Sequence, residues 1–141
     1  MAVMWELTGP NGTLLHLQML EFSLTADAAG VDSDTTPWHV AGEVIRCECY
    51  SADLVPDSAT IKGYEASAFC AIGSRHDFID YVHTGPAAVS MQILPAIKRT
   101  TPAWVEIDTV YGPPIVAGLL TIAIAGFTAG QNLRVRVYVA G

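Results

Sequence analysis

Between Leu133 and Val139 the chain alternates strictly: Leu133, Val135, Val137 and Val139 are apolar, with Arg134, Arg136 and Tyr138 between them. A period of two puts these sets on opposite faces of an extended strand, whereas a helix would scatter them. The same period recurs along the chain. Val89, Met91 and Ile93 alternate with Ser90 and Gln92, and Val105, Ile107 and Thr109 with Glu106 and Asp108. Ile45, Cys47 and Cys49 oppose Arg46 and Glu48, while Tyr64, Ala66, Ala68, Cys70 and Ile72 oppose Glu65 and Ser67. Leu120, Ile122 and Ile124 mark a strand that the turn GFTAGQN joins to the last one, so residues 115–139 are expected to form a hairpin. From Leu14 to Leu24 the alternation changes phase, from Leu15, Leu17 and Met19 to Leu20, Phe22 and Leu24, which predicts a β-bulge or sheet corner.

With residues 2–8, this makes about eight strands, spaced as in sandwiches and barrels. One segment breaks the period. In SRHDFIDYVH, Ser74 stands where a helix N-cap would, and Phe78, Ile79 and Val82 share one side. The expectation is an all-β protein: an antiparallel β-sandwich, jelly-roll-like, with one short helix at 74–83. It forms a single domain over residues 1–141, with strand-poor loops at 25–38 and 51–59.

Composition narrows the function. A chain of 141 residues can bury a core without disulfides. Hydrophobic residues make up 51% and charged ones only 15%, against about 25% in ordinary domains, and mean hydropathy is +0.37. That much apolar material predicts that part of the surface is covered by other copies or a partner. The net charge of −7, with Lys62 and Lys98 the only lysines, argues against nucleic acid and against anionic membranes as partners. The start MAVMWELTG has no basic, then apolar, leader pattern, and the run PPIVAGLLTIAIAGF is too short and glycine-broken to span a bilayer. Cys47, Cys49 and Cys70 are expected to be reduced, buried thiols, although Cys47 or Cys49 could bridge to Cys70 if their strands were neighbours.

Four groups of residues could carry chemistry. On a helix, His76, Asp80 and His83 would stack at i, i+4 and i+7, a possible divalent-metal face without a fourth ligand. Asp32-Ser33-Asp34 resembles the start of a calcium loop, but Pro37 stands at the sixth position, where the turn needs glycine. Trp38 and His39, with Trp104 and the acidic residues Asp32 and Asp34, could form a carbohydrate-binding surface. Trp5 on the first strand, and Arg134 and Arg136 on one face of the last, are candidates for contact with a protein partner. No Gly-x-Ser-x-Gly, His-Glu-x-x-His or paired-carboxylate signal is present, so the chain is expected not to be an enzyme and to need no cofactor.

The start MAVMWELTG, the alanine- and glycine-rich stretch IVAGLLTIAIAGFTAGQNLRVRVYVAG and the scarcity of lysine resemble small tailed-bacteriophage virion proteins, of the capsid decoration (cement) or fibre-head type. The resemblance covers the general character of the whole chain and rests on no diagnostic motif. It implies a homo-oligomer, often a trimer, assembled in the host cytoplasm and bound to the major capsid protein or another virion protein. It would stabilise the lattice without chemistry. The alternative is a receptor- or carbohydrate-binding fibre-head module built on Trp38, His39, Asp32 and Asp34.

Overall fold

The computed structural model describes residues 2–9, 14–66, 77–100 and 106–141. Their strands are β1 (Val3–Thr8), β2 (Leu14–Thr25), β3 (Asp32–Thr35), β4 (Val40–Val55), β5 (Thr60–Ala66), β6 (Ile79–Val82), β7 (Ala87–Ile93), β8 (Ile97–Thr100), β9 (Glu106–Gly112), β10 (Ile115–Ala125) and β11 (Asn132–Ala140). One sheet runs β1-β2-β11-β4-β7 and the other β3-β10-β5-β6, with antiparallel pairing throughout. β10 joins them: Ile115–Gly118 pair with β4, and Leu119–Ala125 continue beside β5 in the second sheet. β8 and β9 form a separate two-stranded ribbon.

Without β1 and that ribbon, eight strands remain. In chain order they lie first-eighth-third-sixth in one sheet and second-seventh-fourth-fifth in the other. Two interlocked Greek keys give this order, which is that of a jelly roll.

Alternation builds the core between the sheets. Leu20, Phe22 and Leu24 of β2, Cys47 and Cys49 of β4, and Leu133, Val135, Val137 and Val139 of β11 point inward from the first sheet. Ile61, Ile79, Leu120, Ile122 and Ile124 meet them from the second, in one buried cluster. Gly63 of β5 sits under this packing, where a Cβ would lie 2.7 Å from Cε2 of Phe78.

Several expectations are corrected. Ile79–Val82 is the strand β6, paired to Thr60–Gly63, and not part of a helix. No helix occurs among the described residues; Ser74, Arg75 and His76 lie outside them. β10 and β11 are not a hairpin: residues 126–131 cross from one sheet to the other, and β11 pairs instead with β2 and β4. The expected loop 25–38 contains β3, and the expected loop 51–59 begins with the end of β4. Ile45 does not share the face of Cys47. The β4–β11 register shifts between Tyr138 and Val139, so Val44 is buried and Ile45 is the exposed extra residue of a bulge.

The phase change in β2 has another cause as well. Pairing with β11 runs unbroken from Leu17 to Thr25, so there is no bulge at Met19–Leu20. The irregularity lies earlier, opposite Leu7 and Thr8, where His16 has φ of 49°. Leu17 and Met19 are apolar residues on the outer face. Cys47 and Cys49 are free and buried, and burial pushes both thiols up, that of Cys49 to about 12. Cys70 lies outside the described residues.

Candidate functional site

The outer face of the first sheet takes the residues that alternate with the core. Register places Trp5, Met19, Tyr138 and Arg46 in one row across β1, β2, β11 and β4. The next row is Glu21, Arg136, Glu48 and Gln92, and the one beyond it Ser23, Arg134, Tyr50 and Ser90. Directly paired residues share a face and lie about 5 Å apart, so these rows are contact sets. Trp5, Arg134 and Arg136, separated by some 130 residues of chain, therefore share one face.

Ion pairs fix the middle of the face. Arg136 Nε donates to Glu21 Oε2 at 2.8 Å, and Arg46 Nη2 donates to Glu48 Oε1 at 2.8 Å. The Arg46 guanidinium also lies over the Tyr138 ring, 4.3 Å from its centroid, a cation–π geometry. A hydrogen bond from the Tyr138 hydroxyl holds the Glu48 carboxyl below the usual range; burial opposes it, and the charges of Arg46 and Arg136 with the Arg46 hydrogen bond offset that opposition. Arg134 is less engaged: its Nε is 3.8 Å from Glu21 Oε1, and its side chain is 59% exposed.

Beyond Tyr50, β4 leaves β11, because the β4–β11 register ends at the Tyr50–Arg134 pair. Side chains take over there. Asn132 N–H donates to Asp53 Oδ2 at 2.7 Å, and the Ser51 hydroxyl donates to the Asn132 carbonyl. On the side away from β2, both backbone groups of Asn132 are thus satisfied by β4 side chains in place of backbone pairing. The gap between the strands becomes a depression of about 340 Å³, with Ser23, Thr25, Tyr50 and Arg134 on its walls. A second depression of about 190 Å³ is lined by Glu48, Tyr50, Arg134 and Arg136. Tyr50, 57% exposed, and Arg134 form the rim the two share.

The other groups singled out from sequence do not converge. Asp80 is exposed on β6 and accepts a hydrogen bond from Lys62 Nζ at 2.8 Å. His83 is buried, its Nε2 3.0 Å from the Ala87 carbonyl and its Nδ1 3.1 Å from the Tyr81 hydroxyl. A carbonyl can only accept, so Nε2 carries a proton, and the ring ties the end of β6 to β7. Three residues apart on extended chain, Asp80 and His83 do not share the face that a helix would have made. His76 lies outside the described residues.

Asp32 and Asp34 sit on edge strand β3, paired with Ile124 and Ile122. Asp32 accepts from the backbone N–H groups of Thr25 and Ser33, both at 2.9 Å, and so closes the loop. Trp38 is partly buried against the core, and His39 is exposed. These four residues line neither depression. Trp104 lies outside the described residues.

Tyr50, Tyr138, Arg46 and Glu48 were not singled out from sequence as a site. The signal for them was the phase change in β2. Leu17 and Met19 break the polar pattern because the outer face they occupy is partly apolar, beside Trp5 and Tyr138.

No family model and no curated protein matches the chain. Two solved structures do, both family 11 carbohydrate-binding modules from Clostridium thermocellum. One is in complex with a beta-1,3-1,4-mixed-linked tetrasaccharide; it is 10% identical, with a TM-score of 0.35 over 100% of this chain and 83% of the other. The second, from the cellulosomal cellulase Lic26A-Cel5E, is 11% identical, with a TM-score of 0.30 over 100% of this chain and 82% of the other. At those scores neither carries weight for fold or ligand, and the jelly roll rests on its strand order.

Proposed function

We propose that the chain is a non-catalytic binding module that takes a carbohydrate on the outer face of the β1-β2-β11-β4-β7 sheet. The observation that carries this is the shared rim: an exposed tyrosine beside an exposed arginine, between two depressions lined with hydroxyl, amide and carboxylate groups. A sugar has an apolar ring face edged by hydroxyls. An aromatic ring flanked by fixed polar side chains matches both parts. Tyr138 and Trp5 continue the aromatic character toward β1, about 14 Å across the sheet from β4, which suits an extended chain better than a single sugar.

Isothermal titration against a panel of soluble neutral and acidic polysaccharides tests this. Binding to at least one, lost in Tyr50→Ala with the melting temperature unchanged, is expected. No heat with any member of the panel would discard the proposal.

Assembly is a second role, supported by a different observation. Among the described residues β1 pairs with β2 alone, and it exposes Val3, Met4 and Trp5 by 43%, 37% and 43%. A free, apolar edge strand is a template for strand addition by a second copy. That would suit a virion component of the decoration or fibre-head type, bound to other virion proteins. Native mass spectrometry should then show a defined oligomer that Trp5→Lys dissociates; a monomer at all concentrations would remove this role.

A further inference from the structure

We infer that the carbohydrate is an acidic polysaccharide, a uronate-type chain whose carboxylate is held by Arg134 while a sugar ring lies against Tyr50. This rests on the carbohydrate-binding role proposed above and names the class of ligand. The reason is the distribution of charge. The chain has 7 basic residues against 14 acidic ones, yet three of those seven, Arg46, Arg134 and Arg136, stand on this one face. Two carboxylates in the same rows, Glu21 and Glu48, oppose them.

Arg46 is committed to Glu48, and Arg136 has the short bond to Glu21. Glu21 therefore serves two guanidiniums, and Arg134 is the one held at the longer distance of 3.8 Å. At the far side of the larger depression Asp53 gives an oxygen to the Asn132 N–H. Arg134 thus offers its planar donor fork to solvent on the wall of both depressions. A carboxylate accepts that fork bidentately, which a neutral hydroxyl cannot do.

Position supports the same ligand. Tyr50 and Arg134 are direct cross-strand partners, about 5 Å apart at Cβ, roughly the breadth of one sugar ring. A ring stacked on Tyr50 would bring its own ring carboxylate over Arg134. On a protein of net charge −7 a polyanion is otherwise repelled, and the carboxylates of this face balance its arginines, so retention would rest on Arg134, the guanidinium held by its carboxylate only at 3.8 Å.

The test compares polygalacturonate with the same polymer after carboxyl reduction, which keeps the rings and removes the charge. Titrations are run on wild type, Arg134→Gln and Arg134→Lys, with dextran sulfate as a control polyanion. Polygalacturonate should bind, and carboxyl reduction should weaken binding at least about tenfold, in line with the loss of a charge-assisted hydrogen-bonded pair. Arg134→Gln should lose the same factor on the native polymer and nothing further on the reduced one, with an unchanged melting temperature. Arg134→Lys should recover only part, because an ammonium has no planar fork.

Equal binding of native and reduced polymers would overturn the inference and leave the carbohydrate role standing. Dextran sulfate binding as tightly as polygalacturonate would also overturn it, by showing general polyanion attraction. Failure to bind any polysaccharide, neutral or acidic, would remove the carbohydrate role itself.

Discussion

Glu48 shows how the face is held together one residue at a time. Its carboxyl lies between Arg46 and Arg136, and the hydrogen bond from Tyr138 is the largest cause of its lowered pKa. A depressed carboxyl contributes stability above its unfolded value, about 4.3 for glutamate. That contribution fades as pH falls through the lower folded value. The urea midpoint of wild type should therefore drop on acidification below about pH 4.3, and Glu48→Gln should show a shallower drop over the same window. The difference will be modest, because the Glu48 side chain is 38% exposed and solvent screens such pairs. Parallel acid profiles of the two proteins would show that the network around Tyr138 does not depend on this charge. Parity along a single strand was enough to place Arg134 with Arg136. It could not bring Tyr50 to Arg134, because that contact depends on which strand lies next, and a two-residue period says nothing of neighbours.

Strands were legible where one side is core and the other polar, as in β7 and β11. They were hidden where that contrast fails. β3 is Asp-Ser-Asp-Thr, with no apolar residue at all, and is a strand because β10 offers it a free edge at Thr121–Ile124. β6 is four residues long and lies where the chain carries a helix-like i, i+4, i+7 coincidence. The expected 115–139 hairpin failed because neighbours in sequence usually pair, whereas a Greek key sends the next strand to the opposite sheet.

β4 bridges this arrangement, pairing with β10, β11 and β7 along its length. It makes the change at Gly42, whose φ is +143° and where a Cβ would run into the Ala140 carbonyl oxygen. Only glycine sits there without strain. Gly42→Ala should cost about 2 kcal/mol or more, read as a lower urea midpoint with an unchanged slope. An unaltered midpoint would mean that the junction relaxes freely and that β4 is not pinned at this point.

For the whole molecule, the jelly roll separates two properties that composition alone runs together. The high apolar fraction is accounted for in part by a core that draws side chains from both sheets. Apolar residues left outside are scattered, Leu54, Val82, Leu94 and Ile115 among them; on the first sheet they include those of edge strand β1 and the row through Met19 and Tyr138. Between them, the outer face combines aromatic rings, ion-paired arginines and two depressions, none of which is needed to close the sandwich. Under the function proposed above, this face, and not the Asp32–His39 segment at the second sheet's edge, takes the carbohydrate.

The most direct measurement runs wild type, Tyr50→Ala and His39→Ala side by side on native gels containing each polysaccharide of the panel. Retardation of wild type and His39→Ala, with free migration of Tyr50→Ala, is the predicted result. Retardation of Tyr50→Ala equal to wild type, or of no protein in any gel, would contradict it.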